Sequence, residues 1–153
     1  MKKLLPLIIL MLARCATVPM ASEAEDAEAK RFQTLPGQAN LYVFRDIGVG
    51  TALTFQAAVD GRLIGLIARN TYQLARISPG EHTLRVSGNG SGVQIANSPE
   101  IQFTAEAETN YFFIIGVVPN LIFGRPRGNL SSMNEDEGRR RVLRYRLAQP
   151  EGS

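Results

Sequence analysis

The sequence has no tryptophan, one cysteine and one histidine in 153 residues. Each shortage removes a class of explanation. A single cysteine, Cys15, excludes an intramolecular disulfide. A single histidine, His82, confines nucleophilic catalysis of the Ser–His–Asp kind to its own surroundings, and with Cys15 it leaves only carboxylates for a metal site. No lysine follows Lys30, so the glycine-rich stretch Gly88–Gly92 lacks the cation a phosphate cradle would use. The apolar stretch Leu4–Leu12 is too short to span a hydrocarbon core of about 30 Å, which needs about 20 residues.

What is present at the start is a positively charged Met1-Lys2-Lys3 followed by Leu4–Leu12, the make-up of a signal peptide over residues 1–14. Leu12-Ala13-Arg14-Cys15 resembles a bacterial lipobox, in which the cysteine receives a diacylglycerol. Arg14 departs from the pattern, which usually has a small residue there. Ala13-Arg14-Cys15 also reads as a small-x-small cleavage site, which would release a soluble secreted or periplasmic form. The expectation is a protein anchored in the cell envelope by lipid on Cys15. Ala16, by resemblance to enterobacterial lipoproteins, favours the periplasmic face of the outer membrane. Removing residues 1–14 lowers the 17 basic residues to 14, equal to the 14 acidic ones. The remaining chain is formally neutral, which gives no support for nucleic-acid binding.

Residues 15–38 read as a tether. Ser22-Glu23-Ala24-Glu25 has capping-box spacing, Glu25–Arg31 continues with helix formers, and Pro36-Gly37 marks a stop. This predicts a short solvated helix. From Ala39 the hydrophobic period becomes two. Strands are expected at Leu41–Arg45, Phe55–Val59, Arg62–Ile67, Tyr72–Ile77, His82–Val86, Val93–Ile95, Ile101–Phe103 and Tyr111–Val118, with a hairpin at Asp60-Gly61. Tyr111–Val118 is apolar on both faces and reads as a central strand. The reading is mainly β: an antiparallel β-sandwich of about seven strands over residues 39–148, with an open barrel as the alternative. Ser132–Glu135 again has capping-box spacing. The acidic residues Glu135–Glu137 precede the arginines Arg139–Arg141, and this predicts a short C-terminal helix. Leu143–Leu147 could instead form a final strand, and 149–153 is a tail.

Asn40-Leu41-Tyr42-Val43-Phe44-Arg45, Val59-Asp60-Gly61 with Ile64-Gly65, and Pro79-Gly80-Glu81-His82-Thr83-Leu84 together look like a DUF2846-type bacterial lipoprotein domain. The Pro-Gly-x-His turn is shared more weakly with PEGA-like β-modules. The resemblance covers roughly residues 39–147. It implies a small exported β-sandwich of unknown function and supplies no catalytic residues.

Candidate sites are few. His82 follows a Pro-Gly turn, where an imidazole braces the turn by hydrogen bonding. Asp46, Asp60, Glu81, Glu106 and Glu108 sit at turns, and no pattern brings two of them into a cleft. The stretch after Tyr111–Val118 places Leu121, Ile122 and Phe123 in a loop beside Arg125 and Arg127, with Arg139–Arg141 as a further cationic rim. Such an apolar tip suits a partner contact. The sequence therefore implies a non-enzymatic envelope protein that binds another envelope component, with no cofactor and no metal. The alternatives are an envelope hydrolase with a site near His82, and a structural subunit of a homo-oligomer.

Overall fold

The computed structural model describes residues 18–46, 53–89, 95–120, 122 and 124–151. Two helices and nine strands form among them: α1 (Glu23–Ala29), β1 (Ala39–Arg45), β2 (Thr54–Val59), β3 (Arg62–Ile67), β4 (Thr71–Ile77), β5 (Gly80–Asn89), β6 (Glu100–Ala105), β7 (Asn110–Val118), β8 (Arg127–Met133), α2 (Glu135–Val142) and β9 (Arg146–Leu147). The strands make a five-stranded sheet, β8-β7-β1-β4-β9, and a four-stranded sheet, β3-β2-β5-β6. The sandwich expected from the period-two pattern is present. It is not wholly antiparallel: β1 pairs in parallel with β7, and β4 in parallel with β9. The parallel β1–β7 pair joins elements far apart in sequence, which local pattern cannot reveal.

The two faces of β1 show why the fold needs two cores. Leu41 and Val43 point between the sheets, where they meet Phe55, Ile67, Leu84, Val86, Phe113 and Ile115. Tyr42 and Phe44 point outward into a second cluster with Tyr72, Phe112, Val142 and Tyr145. All seven β1 residues are buried, and β7 lies between β8 and β1, as its apolar faces predict.

That outer cluster needs covers, and the two helices supply them. α1 starts with the expected capping box, Ser22 and Glu25 bonding reciprocally. It is not a solvated helix in a tether, however. Asp26 accepts hydrogen bonds from the Tyr72 hydroxyl and the Leu147 N–H, both at 2.8 Å, and the Tyr42 hydroxyl donates to the Ala29 carbonyl at 2.8 Å. Upstream, Ala21 N–H bonds to the Leu147 carbonyl, and Gln149 N–H bonds to the Pro19 carbonyl. The helix ends at Ala29, before Pro36-Gly37, because Phe32 turns into a left-handed conformation (φ 56°) and buries its ring against Tyr42 and Phe112. α2 is capped by Asn134 rather than by Ser132, which belongs to β8. Gly138 lets α2 lie directly on the Phe112 ring. Both readings of the last segment hold in part: the helix closes at Val142 and β9 follows it.

Straps close both open sides of the sandwich. On one side the tail leaves β9 and crosses to β3 through the Gly65–Pro150 bridge and the Glu151 N–H to Ile64 carbonyl bond. On the other, Asn97 exchanges two hydrogen bonds with Gly128, and Ala96 N–H bonds to the Pro126 carbonyl. Of the expected strand Val93–Ile95, Val93 and Gln94 lie outside the described residues, and Ile95 lies in this strap and not in a strand.

Candidate functional site

His82 stands at the start of β5, beneath the β2–β3 turn. Its Nδ1 is 2.6 Å from Asp60 Oδ2 and its Nε2 is 2.7 Å from the Ser78 carbonyl oxygen. A carbonyl oxygen only accepts, so Nε2 carries a hydrogen, and the carboxylate favours a second one on Nδ1. Burial pulls the imidazole pKa down, but the bonds to Asp60 and Ser78 outweigh it and hold the pKa above its ordinary value. Asp60 is held below the usual carboxylate range, first by the Thr83 N–H and then by His82. Asp60 has φ 51°, the geometry a tight hairpin turn demands. With both ring nitrogens engaged, His82 has no free atom to take a proton from a hydroxyl nucleophile. The chemistry available here is bracing: one imidazole ties the β2–β3 turn to the β4–β5 turn.

Of the turn carboxylates Asp60 bonds to the imidazole and Glu81 shares a surface pocket with it, but the others take no part. Asp46 pairs with Arg141, while Glu81, Glu106 and Glu108 are exposed. No group of three His, Cys, Asp or Glu side chains among the described residues could hold a metal ion. No described helix is long and apolar enough to cross a membrane.

The β7–β8 connection differs in character. Val118 is 53% exposed and Ile122 77% exposed, and Arg125 and Arg127 are exposed beside them. Among the described residues neither arginine is ion-paired. The base of this tip is held by the Ala96–Pro126 and Asn97–Gly128 bonds, so its position is set by the strap below it. Leu121, Phe123 and Cys15 lie outside the described residues. The expected further rim, Arg139–Arg141, does not join the tip. Arg139 pairs with Glu135 and stacks on Phe32, Arg140 pairs with Glu137, and Arg141 pairs with Glu137 and Asp46. Their i,i+3 and i,i+4 spacing from acids in the first turn satisfies them within the helix.

Sequence reasoning missed a groove of about 530 Å³ between α1 and β4, lined by Glu25, Glu28, Tyr42, Leu74, Arg76 and Leu147 among others. Glu25 and Glu28 are already bonded to Ser22 and Arg31. The groove exists because α1 docks on the sheet, which its sequence does not announce.

Fold and sites together define a strapped two-sheet β-sandwich with a histidine-braced turn and an exposed apolar, arginine-rimmed tip. No family model matches the chain. A Haemophilus influenzae protein described as "Uncharacterized protein" is 30% identical over 142 residues, which is 92% of this chain and 80% of the Haemophilus protein. The chain belongs to the family of that Haemophilus protein.

Proposed function

We propose that this chain is an exported envelope protein, held at a membrane by lipid on Cys15, whose sandwich acts as a non-enzymatic binding module. The observation that carries the binding role is the β7–β8 tip. A large aliphatic side chain, Ile122, stands 77% exposed in the loop that carries Arg125 and Arg127, neither of them ion-paired among the described residues. An exposed apolar residue rimmed by unsatisfied cations suits an acidic protein partner, because contact buries the first and pairs the second. The lipid reading rests on the lipobox-like Leu12-Ala13-Arg14-Cys15 and on the resemblance to DUF2846-type lipoproteins. The engagement of both His82 nitrogens favours a binding role over a hydrolase built on that residue.

The binding test is site-specific photocrosslinking in cells, with the crosslinker at Ile122 and, as control, at Glu106 in the β6–β7 turn. A discrete adduct only from Ile122, lost in Leu121→Ser/Phe123→Ser, supports the reading. Equal adducts from both positions refute it. The anchor test is the intact mass of the membrane fraction. Wild type carries acyl mass that Cys15→Ser lacks, whereas acylation of Arg14→Gly alone would overturn the anchor.

A further inference from the structure

If Cys15 carries lipid, the fold dictates how the domain sits on the bilayer. Val18 is buried at 5% exposure against Leu66, Ala68 and Ala148, on the side where β9, β4 and β3 meet. Two residues separate it from Cys15, and the three steps between them, at most ~3.6 Å each, reach about 11 Å. No spacer intervenes, because the 18–32 segment is bonded to β9, β4 and the tail. The β3–β4–β9 edge is therefore held within that distance of the lipid.

The surface of that edge matches what it would meet. Met20 is 41% exposed, and Arg62, Arg69 and Arg146 are all exposed. Among the described residues none of the three arginines is ion-paired. Nearby carboxylates are few. Asp60 is bonded to His82 and Thr83, and Asp26, which accepts from the β9 Leu147 N–H, is also bonded to Tyr72 and Lys30, leaving Glu151 in the tail and Glu23 at the start of α1. Laying the α1 face down instead would press Glu23, Glu25 and Glu28 against anionic headgroups, which like-charge repulsion opposes.

We infer that the protein stands on its β3–β4–β9 edge, with Met20 and Arg62, Arg69 and Arg146 against an anionic bilayer surface and the β7–β8 tip turned away. This inference rests on the lipid reading above. In the five-stranded sheet, β8 is four strand spacings of about 4.8 Å from β9, so the tip side lies about 19 Å beyond the anchored edge. That exceeds two Debye lengths of about 8 Å at physiological ionic strength. Arg125 and Arg127 thus stay available to a protein partner instead of being neutralised by lipid.

The experiment uses the full acylated chain on phosphatidylethanolamine vesicles with and without phosphatidylglycerol. With Cys15 blocked by its lipid, Met20→Cys and Ile122→Cys each present a single thiol for a fluorophore, quenched by headgroup-labelled lipid. Quenching several-fold stronger at Met20→Cys, increased by phosphatidylglycerol and reduced by Arg62→Glu/Arg69→Glu/Arg146→Glu at unchanged acyl mass and circular dichroism, supports the orientation. Acyl mass present with equal quenching at the two sites, or stronger quenching at Ile122→Cys, overturns the orientation alone. Absence of acyl mass on Cys15 overturns both the orientation and the anchor.

Discussion

Single residues carry decisions here that their neighbours cannot. The His82–Asp60 pair is the one with a pH signature. Because the folded-state pKa of His82 is raised, its contribution is complete below the ordinary value of 6.5 and fades as pH rises through the folded value. Because that of Asp60 is lowered, its contribution is present above 3.8 and fades as pH falls through the folded value. The stabilising effect of the pair is therefore greatest between these limits. Melting temperatures of wild type and Asp60→Asn should differ most in that window and converge toward alkaline pH. An equal difference at every pH would show that the loss lies in the turn geometry and not in the ion pair. Gly138 is a second deciding residue. Gly→Ala inside an ordinary helix stabilises by about 1 kcal/mol. Here the new methyl would collide with the Phe112 ring. Overpacking costs about 1–3 kcal/mol, and with the methyl this close to the ring the upper part of that range applies, so Gly138→Ala should come out less stable by about 1–2 kcal/mol in urea unfolding. Pairing it with Phe112→Leu should recover part of the loss, a non-additivity expected only of residues in contact.

Among the elements, α1 separates what the sequence shows from what it conceals. Its capping box was readable because Ser22 and Glu25 stand three apart. Its docking was not, because the face it buries offers Ala29 and a carboxylate, with no apolar stripe for a periodicity argument to find. The contact is made by polar atoms, with Asp26 receiving Tyr72, Leu147 and Lys30. Hydrogen bonds to a charged group contribute about 1.5–3 kcal/mol, so Asp26→Ala should lower unfolding free energy by about 2–3 kcal/mol. Tyr72→Phe, which leaves Asp26 two of its three donors, should cost less. A neutral Asp26→Ala would mean that α1 is held by its apolar contacts alone. β8 escaped for a different reason. Arg-Gly-Asn-Leu-Ser-Ser-Met is an edge strand with little to bury, and it declares itself only by pairing with β7. By contrast β7 was legible as a central strand because Phe112 and Ile114 face one cluster while Phe113 and Ile115 face the other or pack beside it.

For the whole molecule, the straps matter more than either sheet alone. The tail beyond β9 gives Gln73 an acceptor in the Gln149 carbonyl and bonds to β3 at Ile64 and Gly65. Removing residues 148–151 should therefore lower the melting temperature and accelerate amide exchange around β3 and the 18–21 segment. Exchange in β7 and β8, on the far side, should stay near wild type. Uniform acceleration across both sides would show that the sandwich opens as one unit and that the strap has no local role. The candidate tip was readable as composition, since Ile122 follows a finished strand and precedes arginines. The Arg139–Arg141 rim was misassigned because their partners lie one helical turn away, a relation that appears only once the helix register is known.

The pairing of the first described segment with the last strand also sets an order of events. Asp26 and Leu147 are 121 positions apart and yet share a hydrogen bond. A chain that emerges from one end, whether from a ribosome or from a membrane pore, cannot seat α1 until β9 has appeared. Contacts of such separation form late and slowly because their loop entropy must be overcome before they reward the chain. Until then the aromatic surface of Tyr42, Tyr72 and Phe112 stays uncovered, a transient patch that a holding chaperone would recognise and that the arrival of the final residues removes.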